Sequence, residues 1–188
     1  MPRLIAISAL LVFAGVGPAL AEDNEWSRDG PYLAIFIAVP FQTTEGGVDI
    51  EPGFGGRGGY RFHPHFSGEV QFEWLAPRDI KRGGSKAAKL KTVTATANAK
   101  GYLLTGRIQP YLLTGIGLMH SDLDGTTGGF GGLPKKQSDD FLARFGGGVE
   151  LYIDPETVLT LESNYMLPTG DASDLDHVLV SLGFQFRF

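Results

Sequence analysis

HVLVSLGFQFRF, residues 177–188, is the stretch that decides the fold, because two kinds of side chain alternate along it. One set is apolar: Val178, Val180, Leu182, Phe184, Phe186 and Phe188. The other set is mostly polar or small: His177, Leu179, Ser181, Gly183, Gln185 and Arg187. Residues two apart share a face of a β-strand, so the stretch predicts a strand with one apolar and one polar face. The apolar face would point outward in a transmembrane barrel and inward in a soluble sheet, and the alternation alone leaves both open.

The same alternation recurs along the chain. In residues 66–74, for example, Phe66, Val70 and Phe72 share one face while Glu69 and Glu73 share the other. Comparable patterns, some looser and richer in glycine, occupy residues 33–41, 53–62, 93–103, 111–119, 141–151 and 159–165. With 177–188, they make eight segments, most of them near the ~9–11 residues that cross a bilayer as a tilted strand. Eight is an even number, as closed membrane barrels of bacteria have.

The connections between these segments alternate in length. Those at 63–65, 106–110 and 154–156 are short and contain turn-forming residues, whereas those at 42–50, 77–89, 120–140 and 168–176 are longer and polar or glycine-rich. Short periplasmic turns opposite long extracellular loops are typical of outer-membrane barrels. The sequence therefore predicts an all-β fold, an eight-stranded antiparallel transmembrane up-and-down β-barrel.

Residues 1–21 have the three parts of a cleavable secretory signal peptide. Met-Pro-Arg supplies a positive start, Leu4 to Val16 an apolar core, and Ala19-Leu20-Ala21 a cleavage site. A membrane-anchor helix is the alternative, but it needs ~20 apolar residues and Gly15, Gly17 and Pro18 interrupt this one. We expect cleavage after Ala21 and a single barrel domain over residues 22–188.

Composition excludes several classes of function. The 188-residue chain has no cysteine, which excludes disulfides, thiolate nucleophiles and sulfur-ligated metal sites. Its net charge of -5 gives no basic footprint for nucleic acid.

Several motifs make the chain resemble the small OmpA-like and OmpX-like outer-membrane barrels, including opacity-type proteins of the porin family. The motifs are Gly30-Pro31-Tyr32, the glycine-rich 53–62 segment, Pro110-Tyr111 with Gly115-Ile116-Gly117, and the strand ending at Phe188. The resemblance implies a location in the outer membrane of a Gram-negative bacterium. It also implies that the outer-membrane assembly machinery recognises the aromatic C-terminal strand, here Val180, Leu182, Phe184, Phe186 and Phe188. Full-length OmpA-type proteins add a peptidoglycan-binding domain after the barrel, and no such domain follows here, so no cell-wall tethering is expected.

Nine charged residues fall on the face opposite the apolar one, and they are expected in the lumen: Arg57, Arg61, Glu69, Glu73, Lys100, Arg144, Glu150, Glu162 and Arg187. An eight-stranded barrel is barely wide enough for its own side chains, so these charges are expected to pair and plug the lumen. The alternative is a narrow path for ions or small solutes, because buried charges in membranes sometimes form conduits.

Two histidine motifs could take part in catalysis or metal binding, but each lacks a suitably placed partner. Ser121 could be the nucleophile of a lipid A-modifying enzyme, with His120 as its base and Asp122 or Asp124 as the acidic partner. However, neighbouring residues of a strand point to opposite faces, which separates Ser121 from His120. His63 and His65 flank Pro64 in a short turn and lack a third metal ligand. We predict no catalytic residue, no metal site and no cofactor.

A basic run in the second long loop, Lys81, Arg82, Lys86 and Lys89, extends to Lys91 and is joined by Lys135 and Lys136 in the third. It is either a solvated loop or a contact for lipopolysaccharide phosphates. Aromatic residues near strand ends are expected in interfacial girdles, with a core position as the alternative for each: Trp74, Tyr102, Tyr111, Tyr152, Tyr165 and Phe188.

The sequence thus favours a non-enzymatic barrel that supports envelope integrity or surface interaction through its long loops. A narrow porin-like channel is the second hypothesis, and a lipid A-modifying enzyme the third. The partners expected are outer-membrane lipids, lipopolysaccharide and the assembly machinery, while any extracellular ligand remains unknown.

Overall fold

In the computed structural model, which describes residues 25–42, 52–82, 85–125, 136–169 and 177–188, eight strands form a closed antiparallel barrel. Each strand pairs with its neighbours in chain order, and the first pairs with the last. This confirms the predicted fold class. Within the described residues, no helix is long and apolar enough to cross a membrane. The strands are β1 Gly30–Gln42, β2 Gly53–His63, β3 Phe66–Arg82, β4 Ser85–Tyr102, β5 Ile108–Gly125, β6 Lys136–Tyr152, β7 Thr157–Pro168 and β8 His177–Arg187.

The apolar face of every strand points outward, which resolves the choice left by the alternation. Ile35 and Phe141 are 73% and 68% exposed, whereas Arg144 and Glu150 are fully buried. In β8, the odd-numbered residues from His177 to Arg187 point inward. The even-numbered residues from Val178 to Phe186 point outward. An apolar exterior around a polar interior is the arrangement of a barrel in lipid.

Four strands are longer than predicted, and the two middle loops are correspondingly shorter. Strands β3 to β6 have 17 or 18 residues. The expected loops 77–89 and 120–140 continue as paired strands, with Ala88 opposite Gly125 and Leu123 opposite Lys136. The backbone ladder does not require apolar side chains, so the ladder continues where the apolar pattern ends. Parts of the four predicted long loops lie outside the described part of the chain, which omits residues 43–51, 83–84, 126–135 and 170–176.

The three short turns lie at the end of the barrel where β1 begins. Two are where the sequence placed them, but the turn between β4 and β5 covers residues 103–107 and not 106–110. Pro110 was the misleading signal, because it lies inside β5 opposite Val149, near the strand start where proline is tolerated. In the third turn, Asp154 accepts hydrogen bonds from the backbone N–H groups of Glu156 and Thr157 at 3.0 and 2.8 Å. These bonds hold the pKa of the Asp154 carboxyl below its ordinary value.

Inward-facing glycines make room for large side chains on the neighbouring strand. Gly59 lies opposite Tyr32, and a Cβ there would overlap the tyrosine ring. Gly148 is related to Tyr111 in the same way. The interior is therefore filled by rings that lie across glycine backbone, which brings their hydroxyl groups to the centre of the lumen.

Candidate functional site

The middle of the lumen holds a cluster of charged residues, called here the charge cluster: Arg57, Glu69, Glu73, Lys100, Arg144, Glu150 and Glu162. Glu162, on β7, is its centre. Its carboxylate accepts from Arg57 Nη1 at 2.7 Å and from Arg144 Nη2 at 2.6 Å. Tyr111 and Asn164 also donate to it, at 2.5 and 2.7 Å. One glutamate thus holds cations from β2 and β6 across the barrel, since charge-assisted bonds are the strongest class of hydrogen bond.

Lys100 links the other two carboxylates of this level. Its Nζ lies 2.9 Å from Glu69 and 3.5 Å from Glu150. It also lies 4.6 Å from the centre of the Tyr111 ring, within range of a cation–π contact. Tyr32 donates to Glu69 at 2.9 Å and Tyr102 donates to Glu150 at 3.1 Å. Every carboxylate at this level therefore receives both a cation and a tyrosine hydroxyl.

Glu73 forms the upper edge of the charge cluster. It lies 3.5 Å from Arg144 and accepts hydrogen bonds from Gln71 and Thr94 at 2.6 and 2.8 Å. The paired side chains of the cluster are at most 2% exposed. Within the described part of the barrel, these ion pairs are therefore buried.

Three of the expected interfacial aromatics are inside the barrel, and that prediction was wrong for them. Tyr102, Tyr111 and Tyr152 are 4%, 2% and 0% exposed. Each lies two positions from an inward-facing residue, as Tyr102 does from Lys100, and the period of two overrides the preference of tyrosine for an interface. Of the other three, Trp74 and Tyr165 are half-buried and Phe188 is 61% exposed.

Arg61 and Arg187 lie below the charge cluster, near the short-turn end. Within the described residues, neither forms an ion pair with a carboxylate. Arg61 donates to Gln109 at 2.7 Å and to Tyr152 at 3.1 Å, with its guanidinium 4.0 Å from the centre of the Tyr102 ring. Arg187 donates to the Tyr152 hydroxyl and to the carbonyl of Arg28. We call this level the vestibule.

An apolar layer, which the sequence analysis missed, lies inside the barrel above the charge cluster. Its residues are at most 4% exposed: Phe36, Ala38, Met119, Leu142, Met166 and Leu179, with Leu75 packed against them. The signal was available, because each falls on the inward-facing set of its strand. The inward-facing set of these strands thus contains apolar as well as charged residues.

The outward face of β8 forms a continuous apolar strip. Leu182, Phe184, Phe186 and Phe188 are 45–61% exposed, and Val180 is half-buried. The rings of Phe186 and Phe188 meet edge to face at 5.2 Å. The strip thus ends in an aromatic pair at the short-turn end of the barrel.

The basic residues Lys81, Arg82, Lys86 and Lys89 belong to the β3–β4 hairpin. The backbone places Lys81 opposite Lys86 and Asp79 opposite Lys89. Their side chains, with those of Lys135 and Lys136, lie outside the part of the chain whose side chains the structure describes.

The histidine motifs form no catalytic arrangement within the described residues. His120 is exposed and Ser121 buried, on opposite faces of β5, and His120 Nδ1 lies 2.6 Å from Asp139 on β6. His63 accepts from the backbone N–H of His65 within their turn. In the described part of the chain, no group of three potential metal ligands comes together.

The sequence of this barrel matches a known protein family. The family model of the outer membrane protein beta-barrel domain matches residues 6–188. The chain belongs to this family. As one of its members, the barrel lies in the outer membrane of a Gram-negative bacterium. In barrels of this kind the short turns are typically periplasmic and the long hairpins extracellular, and we name the two ends of this barrel on that pattern.

Solved structures of outer-membrane proteins share the fold. Neisserial surface protein A is 18% identical, with 85% of this chain and 97% of that one covered and a TM-score of 0.62. OprG of Pseudomonas aeruginosa is 15% identical, with 88% and 99% covered and a TM-score of 0.59. Ail of Yersinia pestis, solved with the heparin analogue sucrose octasulfate, is 14% identical, with 85% and 97% covered and a TM-score of 0.56. At these identities the likeness concerns the fold alone. No curated protein matches the sequence significantly.

Proposed function

We propose that this outer-membrane barrel is a closed-lumen scaffold that acts through its extracellular surface, in envelope integrity or surface interaction. The observation that supports the proposal is that two different layers of buried side chains lie in series inside the barrel. The charge cluster fills the middle with paired side chains, and the apolar layer lies directly above it. An ion would have to break pairs centred on Glu162 and then cross a hydrophobic constriction, and both are unfavourable.

Conductance in planar lipid bilayers tests this proposal against the porin-like alternative. Wild-type protein is expected to give no steady open levels. A Leu142→Ala/Met166→Ala variant thins the apolar layer and leaves the charge cluster, so it is also expected to stay closed. Steady, reproducible open levels in the wild type would refute the closed lumen and favour the channel.

The extracellular surface offers the β3–β4 and β5–β6 hairpins, which extend beyond the other strands. We place the lipopolysaccharide contact on Lys81, Arg82, Lys86 and Lys89 of the β3–β4 hairpin. Lysine and arginine attract phosphate groups by charge-assisted hydrogen bonds. The cross-strand position of Lys81 and Lys86 concentrates positive charge at the hairpin tip.

Charge reversal tests the contact. Lys86→Glu/Lys89→Glu is expected to weaken association with lipopolysaccharide, measured by co-sedimentation of purified barrel with lipopolysaccharide aggregates. The matched control is Arg28→Glu/Arg107→Glu, two reversals at the periplasmic end, which is expected to leave association unchanged. Equal association of both variants and the wild type would refute this assignment and leave the hairpin as a solvated surface.

The C-terminal strip of β8 is proposed as the signal that the assembly machinery recognises. Phe188→Ala is expected to lower the amount of heat-modifiable barrel recovered from the outer membrane. Phe141→Ala, on a similarly exposed ring at 68%, is the control and is expected to assemble normally. Equal recovery of the two variants would contradict a special role for Phe188.

The proposed function includes no catalysis. A Ser121 nucleophile would need His120 as its base, and the two side chains lie on opposite sides of the barrel wall. Lipid A from cells with and without the protein is expected to have identical acyl chains by mass spectrometry. A difference that also disappears with Ser121→Ala would establish the enzyme instead.

A further inference from the structure

The segment before β1 enters the periplasmic mouth of the barrel. Residues 25–27 form a turn, Ser27 is 4% exposed and Trp26 is half-buried. Gly30, the first residue of β1, joins this segment to the barrel and has a φ of 152°, which favours glycine. A Cβ on Gly30 would also lie 3.0 Å from the carbonyl oxygen of Phe188. A larger residue at position 30 would therefore strain the junction between the segment and the barrel.

Three interior side chains hold this segment in the mouth. Gln109 Nε2 on β5 donates to the carbonyl of Trp26 at 2.9 Å, and Arg187 on β8 donates to the carbonyl of Arg28. The Trp26 ring meets the Tyr152 ring of β6 edge to face at 5.8 Å and 75°. The segment is thus attached to three strands, and it is attached chiefly through its backbone.

The segment supplies one acceptor to the vestibule, the carbonyl of Arg28, which accepts from Arg187. Arg61 and Arg187 are buried cations for which the described barrel provides no carboxylate, and the acceptors nearby are a tyrosine hydroxyl, an amide and backbone carbonyls. The charge cluster above is different, because its cations are paired with glutamates of the barrel wall and make no contact with the segment. The segment can therefore leave without disturbing the charge cluster.

From these contacts we infer that residues 25–29 are a releasable periplasmic stopper that controls access of water and solutes to the vestibule of Arg61 and Arg187. With the stopper in place, the vestibule is closed below by peptide and above by the charge cluster. When it is released, the vestibule becomes a cationic cavity open to the periplasm, while the lumen above stays closed.

Thiol labelling tests the stopper, because the chain has no cysteine of its own. Ser67→Cys places one thiol in the vestibule: Ser67 is 1% exposed and lies opposite Arg61. The probe is a membrane-impermeant methanethiosulfonate that carries a sulfonate, applied to the folded barrel in detergent micelles. In this background, Trp26→Ala removes the aromatic contact and Ser27→Arg places a third cation in the mouth.

Both stopper variants are expected to raise the labelling rate of the Ser67→Cys thiol by about ten-fold or more, because protection follows the free energy of local opening. A second thiol, Ser121→Cys, is the control. It is 6% exposed and lies beyond the apolar layer, so the stopper variants are expected not to change its rate. Heat-modifiable migration confirms that each variant is folded.

Equal rates for the Ser67→Cys thiol with and without the stopper substitutions would overturn the inference, and so would rapid labelling with the stopper intact. A parallel rise at Ser121→Cys would also overturn it, since the substitutions would then have loosened the whole barrel. Labelling reports access from below and conductance reports a path through, so the stopper and the closed lumen fail separately.

Discussion

The charge cluster and the apolar layer occupy neighbouring levels of one lumen, yet they are built in opposite ways. Arg144 of the charge cluster lies directly opposite Met166 of the apolar layer across β6 and β7. The charge cluster depends on partners, because each buried charge needs its counter-ion. The apolar layer depends on volume, because its members contribute by filling space. The comparison teaches that strand parity decides which side chains enter the lumen, while the residue type at each level decides how that level is packed.

Removing the centre of the charge cluster is expected to have the largest effect. Glu162→Ala leaves Arg57 and Arg144 without their closest carboxylate, and loss of one partner of a buried ion pair costs about 3–5 kcal/mol. Urea unfolding of the barrel in lipid vesicles measures this loss. The control is Glu156→Ala in the exposed third turn, which is expected to be near neutral. If Glu162→Ala costs no more than Glu156→Ala, the ion pairs contribute nothing to stability.

Truncation in the apolar layer is expected to cost less. Leu142→Ala leaves a cavity in a layer whose neighbours can relax toward it, and buried leucine truncations cost about 2–5 kcal/mol, so we expect a value near the lower end. Leu161→Ala is the matched control, because Leu161 is 53% exposed on the outer face. The same unfolding measurement applies. Equal costs for the two variants would mean that the layer is not packed as a core.

Overpacking under a lumen tyrosine ranks third. Gly59→Ala places a methyl group against the Tyr32 ring, which must move away from Glu69, at a cost of about 1–3 kcal/mol. Gly58→Ala lies one residue away on the outer face. Its methyl group would meet the end of the Leu33 side chain at 3.2 Å and the Tyr32 carbonyl oxygen at 4.0 Å, and it is expected to cost little. If the two variants are equally stable in unfolding experiments, Tyr32 is not fixed by the glycine below it.

The smallest effect is expected at Asp154, which belongs to neither layer and serves as a reference. Because its pKa is lowered in the folded state, its stabilisation is present above about pH 4, the ordinary pKa of aspartate, and is lost as the pH falls through the lower folded value. The stability difference between wild type and Asp154→Ala should therefore shrink between pH 7 and pH 3. A difference that stays constant with pH would exclude the carboxylate as its cause.

Much of the fold could be predicted because one physical rule operates throughout. In a strand whose two faces meet lipid and lumen, a period of two is enough to assign Phe184 outward and Arg187 inward. The same rule placed all nine lumen charges on one side. The ends of the strands were harder to predict. The pairing of Ala88 with Gly125, for example, depends on backbone hydrogen bonds, which do not affect the hydropathy pattern.

The contents of the lumen were predictable only in part. The period of two alone would have assigned Tyr102 and Tyr152 to the interior. The preference of tyrosine for a membrane interface led to the opposite prediction. The pairing of Glu162 with residues on β2 and β6 could not be read from sequence, since it depends on the shear of the closed barrel. The stopper could not be predicted from the sequence either, because it is held through backbone carbonyls, which every residue has.

The pairing of β1 with β8, from Tyr32 opposite Arg187 to Gln42 opposite His177, joins residues that are far apart in the chain. Contacts of such long sequence separation form late in folding. Until they form, the edge of β1 has unpaired N–H and C=O groups, which lipid cannot satisfy. We therefore expect a nascent or truncated chain that lacks β8 to form no stable partial barrel in the membrane, and the sheet to be nearly complete when it inserts.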